Sequence, residues 1–189
     1  MLTNISNLNC VSCPALRLRD VERIKVVERM RTQALEKFGG KSARIILLCE
    51  STPAHAFVYD LNSNSNLRKG LKKEFVGDGS DLDLFIYLNN HRIWIVDCAL
   101  CPVHLLENNT EKREAATICL ERHNVMNLQD HSNAKLVTIF PVHRGFKKND
   151  LKRDLPSIAQ RVIINYPFSN LAGLKEFVES QRCNSSEDI

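Results

Sequence analysis

The chain has 189 residues, and nowhere do about eighteen apolar residues run together, which argues against a membrane-spanning helix. The first twenty residues also lack the successive basic, apolar and small-residue zones of a secretory leader. A soluble, cytoplasmic protein is therefore expected, in which cysteines persist as thiols rather than disulfides. No internal repeat is present, so solenoid and propeller arrays are set aside. Charge of one sign is scarce too: 26 Lys and Arg against 22 Asp and Glu leave a net charge of +4, with a sequence pI of about 8.7. Such a balance permits a polyanionic partner without demanding one. An apolar content of 43% is enough for one good core. A single domain over residues 1–183 is expected, followed by a disordered polar tail at 184–189.

Against these absences stand seven cysteines. Two pairs have metal-ligand spacing, Cys10-Val11-Ser12-Cys13 and Cys98-Ala99-Leu100-Cys101, and Cys119 follows on a predicted helix. A pair near the start, a cysteine just after a strand and another on the next helix can converge on one tetrahedral or cubane site. Cys98 competes with Cys101 as the third ligand, and four thiolates also suit zinc. Cys49 and Cys183 read as a buried small hydrophobe and a tail thiol.

Hydrophobic periodicity supplies the elements. Val21, Ile24, Val27, Met30, Ala34, Leu35 and Phe38 recur at helical spacing, with Asp20 as the cap and Gly39-Gly40 as the stop. Four continuous apolar runs read as strands buried on both faces: Arg44 to Cys49, Ile93 to Val96, Leu136 to Phe140 and Arg161 to Ile164. Between them, helices are predicted over Leu67 to Phe75 and Leu82 to Leu88, with Gly77-Asp78-Gly79 as the break between these two, and over Thr110 to His123, capped by Asn109 or Thr110. Leu171 to Gln181 forms a final helix. The alternation predicts an α/β three-layer sandwich with a mostly parallel four-stranded central sheet, whose ligands sit beyond the carboxyl ends of the strands.

Two of those rims carry chemistry. Cys49-Glu50-Ser51-Thr52-Pro53-Ala54-His55 delivers an acid, two hydroxyls and an imidazole, and a carboxylate there can orient or deprotonate a water. Asp97-Cys98-Ala99-Leu100-Cys101-Pro102 leads to Asn108-Asn109. Basic residues His143, Arg144, Lys147, Lys148, Lys152 and Arg153 are placed to follow a DNA backbone. The histidines lack ligand spacing and read as surface or satisfied side chains.

The order Cys10-x-x-Cys13-Pro14, a strand ending in Cys49-Glu50, a strand ending in Asp97 with Cys101-Pro102, then Asn108-Asn109 and Cys119, resembles the iron–sulfur (family four) uracil-DNA glycosylases. Glu50-Ser51-Thr52-Pro53-Ala54 with Phe57 and Tyr59 is also similar to a poorly characterised glycosylase-like branch of that superfamily. The resemblance runs over roughly residues 8–180. It implies a [4Fe–4S] cluster on Cys10, Cys13, Cys101 and Cys119, with Glu50 near the attacking water and Asp97 facing a flipped base. Tyr166 stands where the family has His, and Ser51, Pro53, Tyr59, Asn109 and Ser169 fall on substrate-binding positions. DNA is the implied partner and a monomer the expected state. The chain departs from the family in lacking both glycines of the first rim turn and in carrying Asp97 for Asn. An ionised Asp accepts hydrogen bonds but donates none, so it meets the O4 of uracil poorly. Two rivals stand beside this reading: a non-catalytic descendant of the fold that binds nucleic acid or protein, and an unrelated α/β nucleotide-binding hydrolase using Glu50 and Asp97.

Overall fold

The computed structural model describes residues 10, 12–36, 42–121, 131–140, 153, 158, 160–167 and 170–183. A 3-10 turn at Pro14–Leu18 leads into helix α1 (Val21–Glu36). Then follow β1 (Ile45–Ser51), α2 (Asn66–Val76), α3 (Asp81–Asn90) and β2 (Ile93–Ala99). A short 3-10 turn at Val103–Leu105 precedes α4 (Asn109–Cys119), and β3 (Lys135–Phe140), β4 (Val162–Pro167) and α5 (Leu174–Cys183) complete the order.

All four strands are parallel, in the order β2-β1-β3-β4. Successive strand residues point to opposite faces. Ile46, Leu48, Trp94, Val96 and Leu136 therefore share one face, and Ile45, Leu47, Ile93, Ile95, Val137 and Ile139 the other. Both sets are buried, which is why the strands read as continuous apolar runs rather than alternating ones. Ala15 of the first turn and Ala115 and Ala116 of α4 cover the first face. Leu71 and Phe75 of α2, Leu84 and Leu88 of α3, Leu174 and Val178 of α5, and Val27 of α1 cover the second. Each fully buried Val, Leu, Ile or Phe among them contributes about 1.5–3 kcal/mol relative to exposure.

Helix starts follow cap chemistry. The Asp20 carboxylate accepts the Arg23 N–H at 2.9 Å, as expected of a cap. Ser65 accepts from Arg68 N, and Ser80 forms a reciprocal capping box with Asp83. At α4 the cap is Asn108, whose side chain accepts from Thr110 N, so the start lies one residue before the predicted Asn109. Gly77 adopts φ 61°, a conformation open to glycine, and separates α2 from α3 within the predicted Gly77-Asp78-Gly79 break. The predicted stop at Gly39-Gly40, the end of the α4 region at His123 and the tail 184–189 lie outside the described residues.

The β1-to-β2 connection, α2 and α3, lies on the second face. The β2-to-β3 connection passes over β1 with α4 on the first. A chain whose crossovers keep one hand must change face when it changes direction across the sheet. That reversal opens a crevice beyond the carboxyl ends of β1 and its neighbours.

Arg68 of α2 shapes one wall of the crevice. Its side chain is 6% exposed, its Nε donates to Asp81 Oδ2 at 2.7 Å, and its Nη1 donates to the Asp60 carbonyl at 2.6 Å and the Val58 carbonyl at 3.3 Å. Its Nη2 also donates to the Ser63 carbonyl. One planar fork thus holds the 57–63 loop. Arg68→Leu is expected to lower stability by about 3 kcal/mol, because it strips buried carbonyls of their donor and leaves Asp81 with only the more distant Lys72, 3.5 Å away. Arg68→Lys is expected to recover little of that, since one ammonium cannot span the same acceptors. Urea unfolding of the three proteins checks this, and a wild-type midpoint for Arg68→Lys would refute the fork argument.

Candidate functional site

The thiols predicted as ligands come from three separated segments. The Cys13 N–H donates to the Cys10 carbonyl at 2.8 Å, closing the turn that carries both sulfurs, and Pro14 begins the 3-10 turn immediately after. That turn packs against α4 and against the 103–105 turn. Cys101 lies just past β2 and Cys119 is the last residue of α4. The Leu100 N–H donates to Cys119 Sγ at 3.2 Å. Burial drives the Cys119 thiol far above its ordinary value, with Cys101, Cys10 and Cys13 adding to the shift and the Leu100 N–H opposing it. Cys101 is pushed up to about 11 by burial, then by Cys13 and Cys10, against the lowering effect of Arg19. Cys13, Cys101 and Cys119 all pack against the core of the first face, and Cys10 lies in the turn with Cys13. Among the described residues, no group of three or more His, Cys, Asp or Glu side chains that could hold a metal ion is found.

Cys98 and Cys49 belong to the core. Cys98 is fully buried on the first face, with its thiol raised well above the ordinary value by burial and then by Cys49, Asp97, Cys119 and Glu50. Cys49 is buried on the second face and likewise raised by burial.

The crevice at the strand ends is a cleft of about 320 Å³. Its walls include Glu50, Ser51 and Pro53 from the end of β1, Asp97 from β2, Phe57, and Ser65 at the α2 cap. Glu50 is 5% exposed and Asp97 4%. The predicted acids are thus delivered to one cavity by adjacent strands, with Cys49 and Asp97 in register.

Asp97 is tied down from two sides. Its Oδ2 accepts from Thr52 Oγ1 at 2.9 Å and from Arg31 Nη2 at 3.3 Å. Arg31, on α1, also donates to Glu28, and its guanidinium lies 5.8 Å from the centroid of the Phe57 ring. Burial works against the Arg31 charge, and Glu28 and Asp97 more than offset it, so the guanidinium is held above its ordinary value. Burial raises Asp97 above its ordinary value, with Arg31 and Thr52 only partly countering. Arg31 was invisible as a site residue in the sequence: on a helix it reads as one more solvated charge, and only the packing of α1 beside β2 reveals its partner.

Other predicted residues fall elsewhere. Tyr59 lines a second cleft, of about 290 Å³, beside Phe85 and Ile93. Its hydroxyl accepts the Ile95 N–H at 2.9 Å, satisfying an amide of the edge strand β2. Burial raises that phenol, and the Ile95 N–H only partly counters it. Tyr166 pairs with Ile139 in the sheet and donates its hydroxyl to the Gly173 carbonyl at 3.1 Å, and it is not among the residues lining the acid cleft. Asn109 is exposed at the first turn of α4. Ser169 and the basic residues from His143 to Lys152 lie outside the described residues, while Arg153 is exposed. Of the histidines expected to be surface or satisfied side chains, two have informative places. His131, half-buried, accepts the Ala43 N–H at 3.0 Å and meets Trp94 edge-on, a satisfied position as expected, whereas His104 lines the acid cleft.

No protein-family model, curated protein or solved structure matches this chain. Among the described residues, no helix is long and apolar enough to cross a membrane.

The raised Asp97 carboxyl has a consequence for stability. Between its ordinary value of 3.8 and its folded value, the folded state binds a proton that the unfolded state has lost. Stability from this group is therefore present at low pH and declines as pH rises through that window. Asp97→Asn is expected to remove this component of the slope, measured as urea-unfolding free energy at pH 4 to 7. An unchanged slope in the variant would mean that Asp97 titrates alike in both states.

Proposed function

We propose that this chain is a DNA-repair glycosylase-like protein that hydrolyses the N-glycosidic bond of a damaged or deaminated base flipped out of DNA. The observation that carries this reading is the placement of Glu50 and Asp97 in one cleft at the strand ends, next to the four-thiol neighbourhood. A parallel sheet with helices on both faces is the scaffold that the resemblance implies, and it supports the reading further.

A flipped base must be gripped by a pocket that replaces stacking and pairing. Phe57 offers an aromatic wall, and Asp97, held by Arg31 and Thr52, offers an oriented acceptor. Departure of the base leaves an oxocarbenium-like sugar. Glu50 is placed to orient a water and take its proton as the oxygen bonds to the sugar carbon.

The donor set of Cys10, Cys13, Cys101 and Cys119 suits a [4Fe–4S] cluster. Zinc would need four sulfurs at about 2.3 Å from one point, whereas a cubane gives each thiolate its own iron and spreads them. The Leu100 N–H on Cys119 fits a sulfur that carries charge. When bound, the cluster would be structural, linking the amino-terminal turn to the 100–119 region. We place the protein in the cytoplasm as a monomer acting on DNA.

A non-catalytic, DNA-binding descendant is the second reading, favoured by one observation: the Tyr166 hydroxyl is committed to Gly173 rather than to the cleft. Excision assays on duplex and single-stranded oligonucleotides carrying a panel of lesions distinguish the two. The enzyme reading expects release of at least one base, with Glu50→Gln slower by about 100-fold or more. DNA binding without release of any base would support the descendant instead.

A further inference from the structure

The second cleft, of about 290 Å³, takes no part in the chemistry proposed above. We propose, independently of the glycosylase reading, that it binds a small, flat, uncharged heteroaromatic molecule whose edge carries an N–H donor beside a carbonyl acceptor, a lactam.

The cleft lies between α1, α3 and Tyr59, against Ile93 at the amino end of the edge strand β2, and shares no lining residue with the acid cleft beyond the carboxyl ends. Met30 and Ala34, a helical turn apart on α1, and Leu88 of α3 make its walls apolar. Phe85 stacks on Tyr59 with ring centroids 5.9 Å apart and planes 26° apart, so a flat ring entering the cleft extends an aromatic stack that already exists. Among the described residues lining it there is no Lys, Arg, His, Asp or Glu. An ion would therefore leave water without gaining a counter-charge, which selects a neutral occupant. Leu61, 55% exposed, stands at the mouth and leaves a way in from solvent.

Two polar groups fix the rest of the chemistry. Asn89 Oδ1 is buried from solvent, and no described group donates to it. Folded proteins rarely leave a buried acceptor in that state, because its lost hydration is not repaid. The Tyr59 hydroxyl accepts the Ile95 N–H at 2.9 Å and, among the described residues, donates to no acceptor. Burial favours its neutral phenol form, so it keeps a hydrogen to give. A lactam edge answers both groups: its N–H donates to Asn89 Oδ1, and its carbonyl accepts from the Tyr59 hydroxyl. With the Asn89 carboxamide turned over, its N–H donates to the same carbonyl, so either orientation is met. The volume lies at the lower bound of ordinary small-molecule pockets and suits one ring or two fused rings.

The test uses the full chain and two probes built on the same fused rings: 2-quinolone, which has the lactam edge, and quinoline, which lacks both the N–H and the carbonyl. Ligand-observed NMR titrations give dissociation constants for the wild type, Asn89→Leu, Phe85→Ala and Asp97→Asn. The wild type is expected to bind one 2-quinolone about tenfold more tightly than quinoline, and Asn89→Leu to lose that preference. Phe85→Ala is expected to weaken both probes by about fivefold, the worth of an aromatic contact, and Asp97→Asn, in the other cleft, to change neither. Urea unfolding of Asn89→Leu should give a midpoint at or above the wild-type value, since the substitution removes a buried acceptor that the protein leaves unmet. That measurement also shows that the variant folds. Binding of neither probe, equal affinity for the two, or a preference that survives Asn89→Leu would overturn the inference. So would 2-quinolone binding lost in Asp97→Asn, which would place the probe in the acid cleft, or a clear drop in the Asn89→Leu midpoint, which would reveal a protein partner for Oδ1.

Discussion

Burial of charge is the constraint on which this molecule depends. Burial raises the thiols of Cys101 and Cys119, and a guanidinium and two carboxylates lie almost without access to water. Groups so placed cannot be left alone, because an uncompensated buried charge costs several kcal/mol. For Asp97 on β2 the compensation comes from Arg31 on α1, far away in sequence, and the amino-terminal turn packs against the turn after β2. Those long-range obligations hold α1 and the first turn against the rim of the sheet.

The two regions are linked through Arg31. Its guanidinium pairs with Asp97 in the cleft, and Cys119 is the last and smallest of the groups that favour its charge. Cys98, between Asp97 and Ala99, in turn feels both Glu50 and Cys119. The proposed cluster site and the proposed base pocket are therefore neighbours across the end of β2. A disturbance of one is expected to reach the other through α1 rather than through the sheet, whose strands are packed on both faces.

Much of the fold was legible in the sequence because its signals are local. Continuous apolar runs announced strands covered on both faces, and Asp20 and the Gly77-Asp78-Gly79 break marked helix limits through cap and glycine chemistry. The delivery of Glu50 and Asp97 to one rim followed from strand ends alone. What could not be read depends on packing. Strand order requires knowing which crossover takes which face. Arg31 and Arg68 are ordinary cations on helices until α1 meets β2 and the 57–63 loop folds over α2. Tyr166 matched a rim position, yet a nearby carbonyl at Gly173 took its hydroxyl. With adjacent asparagines, periodicity could not choose Asn108 over Asn109 as the α4 cap.

The central claim is that Cys10, Cys13, Cys101 and Cys119 act together on one cluster. Its most direct test is iron and acid-labile sulfide analysis of anaerobically purified protein, with X-ray absorption at the iron edge, for the wild type and for Cys10→Ser, Cys119→Ser and Cys49→Ser. The account predicts iron and sulfide in about equal amounts with iron–iron scattering, lost in the first two variants and kept in Cys49→Ser. Zinc alone, absence of metal, or iron that survives loss of Cys10 and of Cys119 would contradict it.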